Sequence, residues 1–246
     1  MKRLFFILIL SITIVSLSGC KYLDIFVDDD VSAFQATIIE SRDYIRTSSI
    51  RVETVTYRGG LISSIASESQ GSGVIYAEDE TYYYALTNFH VIDTGDSEDF
   101  DHTIYVFEYE EAVPAELIAQ DQAYDLAVLR FEKGDFTIPL MDLTKRLDIP
   151  LERGEMVLAV GSPSRINAIV TFGEYKSMIN IDNVEFKVIF HDALIYSGSS
   201  GGALTDANGY IIGINTWGSS DNNAGGLAVP IDKVIEFLTE NDLWSE

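Results

Sequence analysis

Three side-chain types suited to acyl transfer occur in this 246-residue chain in settings that favour chemistry. Ser200 stands in Gly198-Ser199-Ser200-Gly201-Gly202, where glycines let the backbone bend tightly enough for amide hydrogens to converge on one spot. His90 closes the apolar run Ala85-Leu86-Thr87-Asn88-Phe89 and is one of only 3 histidines. Asp125 stands at the entrance of Leu126-Ala127-Val128-Leu129. A hydroxyl nucleophile needs a base to take its proton, a group to orient that base, and donors for the developing oxyanion. Taken singly, each residue has a bland reading: a Gly/Ser loop, a structural histidine, a turn aspartate. The Gly/Ser segment, however, runs directly into a hydrophobic hairpin, which a flexible linker does not do.

The elements that must position these residues read as strands. Arg51-Val52-Glu53-Thr54-Val55 alternates polar and apolar, the period of a half-buried strand. Short runs rich in Val, Ile, Tyr and Phe recur at 73–76, 82–86, 104–109, 126–131, 156–160, 184–190 and 210–215. No strand–helix rhythm is visible, so an all-β sandwich or barrel is favoured over a parallel α/β sheet. Two hairpins look alike, one over 71–87 and one over 201–215, which suggests two related β units with a junction within Asp142 to Glu155. Val234, Ile235, Phe237, Leu238 and Leu243 fall at helical spacing after Pro230, predicting a closing amphipathic helix over 231–243.

With the three motifs in place, the chain resembles the chymotrypsin-fold serine peptidases, and among them the bacterial HtrA-like branch. Thr87-Asn88-Phe89-His90-Val91 is similar to that family's histidine motif, Tyr124-Asp125-Leu126-Ala127-Val128-Leu129 to its aspartate motif, and His191 through Leu204 to its nucleophile motif. The order His, Asp, Ser is that of this fold and not of subtilisins or α/β-hydrolases. The spacings of 35 (125 − 90) and 75 (200 − 125) residues suit two successive barrels. The resemblance implies two six-stranded antiparallel β-barrels, at about 48–141 and 156–230, followed by the short C-terminal helix. It also implies a triad of Ser200 as nucleophile, His90 as base and Asp125 as its orienter, with backbone amides of Gly198 and Ser200 as the oxyanion hole. No metal or cofactor is required. The implied activity is a serine endopeptidase acting on polypeptides. The chain departs from the family's pattern at Ser199, where Asn or Asp is usual. With 46 residues (246 − 200) after Ser200, no PDZ domain is expected.

The same resemblance suggests a substrate-binding set. Thr216 and Gly218 would offer backbone to the substrate, Trp217 would pack beneath it, and Gly226 would form a pocket wall. Leu194, six residues before the nucleophile, stands where trypsins carry an aspartate, so an apolar preference at the cleaved residue is expected. The bland reading of Trp217 and Leu194 is core packing.

Charge narrows the partners. The formal net charge of −23 argues against nucleic acid, whose phosphates would be repelled. Asp93, Asp96, Glu98, Asp99 and Asp101 crowd the loop after His90, but lack the spacing of an EF-hand, so a solvated loop is the reading. Lys2 and Arg3 precede an apolar run from Leu4 to Leu17, too short to span a membrane comfortably. That run ends in Leu17-Ser18-Gly19-Cys20, which resembles the lipobox of bacterial lipoproteins. The resemblance implies a signal peptide over 1–19, lipidation of Cys20, and a domain held at the outer face of the cell membrane by a tether over 20–47. That tether is read as containing a short helix. Cys20 is the only cysteine, so no intrachain disulfide forms. Two rivals stay open. One is a lipid-anchored binding module that keeps the fold but is catalytically silent. The other is an adhesin-like β domain, which would account for Tyr82-Tyr83-Tyr84.

Overall fold

The alternation at residues 51–55 belongs to β1 (Ser49–Arg58), in which Ile50, Val52, Thr54 and Thr56 are buried and the residues between them half-buried. The computed structural model describes residues 29–58, 64–162, 167–218 and 225–244. The signal segment 1–19, Cys20 and the tether up to residue 28 lie outside the described residues.

Twelve strands form two closed antiparallel barrels. The first holds β1, β2 (Ser64–Glu78), β3 (Tyr82–Thr87), β4 (Phe100–Val106), β5 (Glu111–Asp121) and β6 (Leu126–Glu132), in the order β1-β2-β3-β6-β5-β4. The second holds β7 (Met156–Gly161), β8 (Ile169–Ile179), β9 (Val188–His191), β10 (Ala203–Asp206), β11 (Ile211–Gly218) and β12 (Gly226–Pro230). Its order, read as β7-β8-β9-β12-β11-β10, repeats the connectivity of the first. The expected pair of six-stranded barrels is therefore present, and the kinship of the halves lies in this connectivity. The two look-alike hairpins are not equivalent places in it: β2–β3 are the second and third strands of their barrel, β10–β11 the fourth and fifth of theirs.

Three apolar clusters explain the fold. Ile50, Val52, Ile75, Ala85, Ala127, Leu129 and Phe131 fill the first barrel. Val157, Ala159, Ile189, Leu204, Ile212 and Ala228 fill the second. A third cluster joins them, with Leu86, Leu126 and Val128 from the first barrel and Leu158, Val160, Ala203 and Ile214 from the second. Strands β6 and β7 are thus covered on both faces, which is why their sequences read as unbroken apolar runs rather than alternations. Each such side chain contributes roughly 1.5–3 kcal/mol on burial. Asp125 enters β6 and the Ser200 turn enters β10, so the seam between barrels is where both are delivered.

The helices frame this core. The closing helix, α3 (Ile231–Glu240), buries Ile231, Val234, Phe237 and Leu238. It stops three residues short of the expected end, where the Leu243 amide donates to the Leu238 carbonyl at 2.8 Å. At the other end, α1 (Asp29–Thr47) runs 19 residues, longer than the short helix expected of the tether. The described residues up to Glu40 and those from Ser41 on belong to separate units. In the first, Val31, Phe34 and Ile39 are exposed. In the second, the last turn of α1 places Ile45 in the core and the Tyr44 hydroxyl donates to the Leu140 carbonyl at 2.5 Å. Among the described residues, no helix is long and apolar enough to cross a membrane.

Candidate active site

His90 lies on a single helical turn, α2 (Phe89–Ile92), that follows β3 and is anchored by buried Val91 and Ile92. Asn88, at its N-cap, is fully buried and donates from Nδ2 to the Asp125 carbonyl at 2.8 Å. That bond fixes the distance between the histidine turn and the aspartate turn through the backbone. The aspartate turn is built by Asp121, whose Oδ1 accepts the amide of Ala123 at 2.7 Å. Asp125 ends it with φ of 54°, a left-handed conformation that Asp and Asn tolerate better than other side chains.

The Asp125 carboxylate is buried and receives donors from three directions. The His90 backbone amide donates to Oδ1 at 3.0 Å, and His90 Nδ1 lies 2.8 Å from Oδ2 and 3.0 Å from Oδ1. The Thr216 hydroxyl donates to Oδ2. A carboxylate on Nδ1 assigns the proton to that nitrogen and leaves Nε2 free to accept. The imidazole is itself 43% exposed, open to a reactant from the cleft.

Ser200 is presented by the glycine turn. Gly201 has φ of 87°, and a Cβ there would lie 2.1 Å from the Ser72 carbonyl oxygen, so only glycine fits. The Ser200 hydroxyl donates to the Thr216 carbonyl at 3.1 Å rather than to His90. Thr216 therefore touches both ends of the constellation, accepting from Ser200 with its backbone and donating to Asp125 with its side chain. The amides of Gly198 and Ser200 donate to no acceptor among the described residues. Ser199 turns inward: it is buried, and its Oγ accepts the Tyr196 amide at 3.3 Å. Ser200, unlike Ser199, is partly exposed.

Ser72 carries no mark in the sequence beyond its two flanking glycines, yet it clamps this turn. Its amide donates to the Ser200 carbonyl at 2.7 Å, and its hydroxyl donates to the Gly198 carbonyl at 2.6 Å. The same hydroxyl accepts the Ser162 amide at 2.8 Å.

The candidate pocket residues divide. Thr216, Trp217 and Gly218 end β11, and Gly226 pairs with Gly218 across the β11–β12 ladder. Trp217 lines a cavity of about 850 Å³ beside His90 and Asp125. Leu194 is 40% exposed, with its carbonyl bonded to the Thr171 hydroxyl at 2.8 Å. Ile195 is the residue turned toward Gly226: a Cβ on that glycine would lie 2.3 Å from Ile195 Cγ1. The His191 ring lies against the same glycine, and burial pushes its imidazole down to about 4 against a smaller opposing pull from Asn215 and Asp192. In the acidic loop, Asp93 accepts the Gly95 amide at 2.8 Å and Asp101 the Tyr57 hydroxyl at 2.9 Å. Among the described residues, no group of three or more His, Cys, Asp or Glu side chains is placed to hold a metal ion.

Comparison with known proteins sets this geometry in context. The profile of the trypsin-like peptidase domain matches residues 71–214. A probable periplasmic serine endoprotease, DegP-like, from Hahella chejuensis is 34% identical over 183 residues, covering 71% of this chain and 36% of that protein. Serine protease HTRA1 of Xenopus tropicalis is 32% identical, covering 70% of this chain and 36% of that protein. Serine protease Do-like HtrB of Bacillus subtilis is also 32% identical, covering 69% and 38%. The chain thus spans little more than a third of the length of these relatives. A crystal structure of a serine endoprotease from Yersinia pestis superposes with a TM-score of 0.63 at 26% identity, covering 83% of this chain and 66% of that one.

Proposed function

The chain belongs to the trypsin-like peptidase family, and from that premise we propose that it is a serine endopeptidase working through Ser200, His90 and Asp125 on polypeptides outside the cytoplasmic membrane. The observation that supports this reading is that Thr216 holds both Ser200, through its carbonyl, and Asp125, through its hydroxyl, while Asp125 bonds His90 Nδ1. Three sequence-distant segments meet there with a nucleophile, a base and its orienter.

In this mechanism the Ser200 hydroxyl leaves the Thr216 carbonyl and gives its proton to His90 Nε2 as Oγ bonds to the scissile carbonyl carbon. Asp125 keeps the imidazole in the reactive tautomer and stabilises the imidazolium. The amides of Gly198 and Ser200 receive the oxyanion, each such donor being worth about 3 kcal/mol in a protease of known energetics. His90 then protonates the leaving amine as the carbon–nitrogen bond breaks. Water, deprotonated by the same imidazole, hydrolyses the acyl-enzyme and restores Ser200. Every proton moves between Ser200, His90 and the reactants, so the sequence balances without a cofactor.

Ile195 and Gly226 together favour a small or apolar side chain at the cleaved residue, with Thr216 and Gly218 offering backbone to the substrate strand. The lipobox-like Leu17-Ser18-Gly19-Cys20 supports anchoring at the outer face of a bacterial membrane through lipidated Cys20, which one acyl chain alone would hold only weakly.

A fluorophosphonate probe tests the chemistry: the native protein is labelled and the Ser200→Ala variant is not. A folded native protein that stays unlabelled would instead mark a catalytically silent binding module. For the anchor, Cys20→Ser should move the protein from the membrane fraction to the soluble one, and an unchanged distribution rejects lipidation.

A further inference from the structure

The cavity beside the triad has a chemistry that the hydrolytic mechanism does not use. It holds about 850 Å³ and is reached directly from His90. Phe89, Trp217 and Leu227 supply apolar wall, while Asp93 and Asp182 add two carboxylates to the lining. The first barrel provides Asp93 at the end of α2, and the second provides Asp182 on the turn between β8 and β9, where Asn183 takes a left-handed φ of 66°. Among the described residues, no lysine or arginine lines the cavity and neither carboxylate has an ion-pair partner.

We propose that this cavity is a subsite for a lysine or arginine side chain of the polypeptide substrate, located on the N-terminal side of the scissile bond. This rests on the peptidase reading above. A substrate strand that lies along Thr216–Gly218 with its cleaved residue at Gly226 and Ile195 carries its preceding residues past Trp217, and so over this cavity. The occupant must match an apolar wall that carries two negative charges. A long aliphatic stem with a cationic head does so, laying its methylenes on Phe89 and Trp217 and leaving its charge among the carboxylates. A Trp face adds attraction for a nearby cation. An acidic occupant would meet Asp93 and Asp182 with no basic side chain among the described lining residues to screen them, and a purely apolar one would gain nothing from either carboxylate.

The test uses fluorogenic peptides with an apolar cleaved residue, placing either lysine or acetyl-lysine at the second, third or fourth position before the scissile bond. The two residues nearly match in stem and differ in charge. Both carboxylates are solvent-exposed, so each ion pair is modest, and lysine should be favoured on the order of five-fold in kcat/KM at one of the positions. That ratio should shrink toward one as salt is raised to roughly 0.5 M. In the Asp93→Asn/Asp182→Asn variant it should approach one at low salt; the ratio is taken within each variant, so loss of active protein cancels. A ratio of one or below at all three positions in the native enzyme overturns the subsite. Fluorophosphonate labelling is run alongside. Labelling without a lysine preference removes the subsite and leaves the peptidase, whereas absence of labelling removes both.

Discussion

The backbone amide of Ser72, on β2 of the first barrel, donates to the carbonyl oxygen of Ser200 in the second, at 2.7 Å. With its hydroxyl held between the Gly198 carbonyl and the Ser162 amide, Ser72 fixes the nucleophile turn from the opposite barrel. Ser72→Ala leaves the backbone bond but strands two buried polar groups. The expected cost is about 2 kcal/mol, a fall in Tm of roughly 4–8 °C for a domain of this size. A fall in kcat/KM should accompany it, because the Gly198 peptide then loses the bond that orients it. Scanning fluorimetry and peptide hydrolysis check this, and an unchanged Tm contradicts the clamp.

Thr216 contacts two members of the proposed triad. Thr216→Val keeps the shape and the backbone carbonyl that accepts from Ser200, but removes the donor to Asp125 Oδ2. Hydrogen bonds to charged groups are worth about 1.5–3 kcal/mol, so kcat/KM should fall by roughly ten-fold or more while the protein stays folded. A variant as active as the native enzyme would show the hydroxyl to be idle.

Asp125 is suited to a cleaner substitution than alanine. Its left-handed backbone is also acceptable to asparagine, so Asp125→Asn should fold with nearly native Tm. The amide cannot accept on both atoms, and the His90 backbone amide already claims an acceptor at this side chain. The Asn NH2 then faces Nδ1 and selects the tautomer whose Nε2 carries the proton. A loss of about 10⁴-fold in kcat is expected, as in the trypsin case on which this estimate rests. A loss below ten-fold contradicts the role assigned to Asp125.

The three proposed catalytic residues stand out in the sequence because each sits against a strand that the seam between barrels makes apolar: Leu86 before His90, Leu126 and Val128 after Asp125, Ala203 after Ser200. Strands β5 and β8 do not, since most of their residues are exposed or half-buried, and the face by which β5 meets the core, Val113, Ala115 and Leu117, is short and interrupted by Pro114. Residues 104–109 read as one strand, but β4 ends at Val106 and a 3₁₀ turn, Phe107–Tyr109, begins the reversal into β5. At the pocket, the Leu194 carbonyl is held by the Thr171 hydroxyl and Ile195 approaches Gly226, a local geometry that spacing from Ser200 does not encode. Ser72 was hidden for another reason. Its partners lie up to 128 positions away (200 − 72), and a serine between glycines has no periodicity.

Acid should weaken the fold through its two buried imidazoles before it protonates most carboxylates. His191 has no exposed surface, and burial lowers its value to about 4, while burial also lowers that of His102, whose Nδ1 lies 3.0 Å from the Thr54 hydroxyl. In the unfolded chain both titrate near 6.5. As pH falls below 6.5 the unfolded state takes up protons that the folded state refuses, so stability drops until the folded His191 titrates near 4 and its contribution levels off. For His191 alone the fall is about 3 kcal/mol across that window, with His102 adding to it in the same direction. Asp79, Asp142, Asp192 and Glu236, whose values are lowered by hydrogen bonds or ion pairs, lose their contribution only at lower pH. Urea unfolding at pH 7, 5.5 and 4.5 should show this decline, and His191→Thr should flatten it. A free energy that is constant from pH 7 to 4.5 would mean that both rings reach water in the native state.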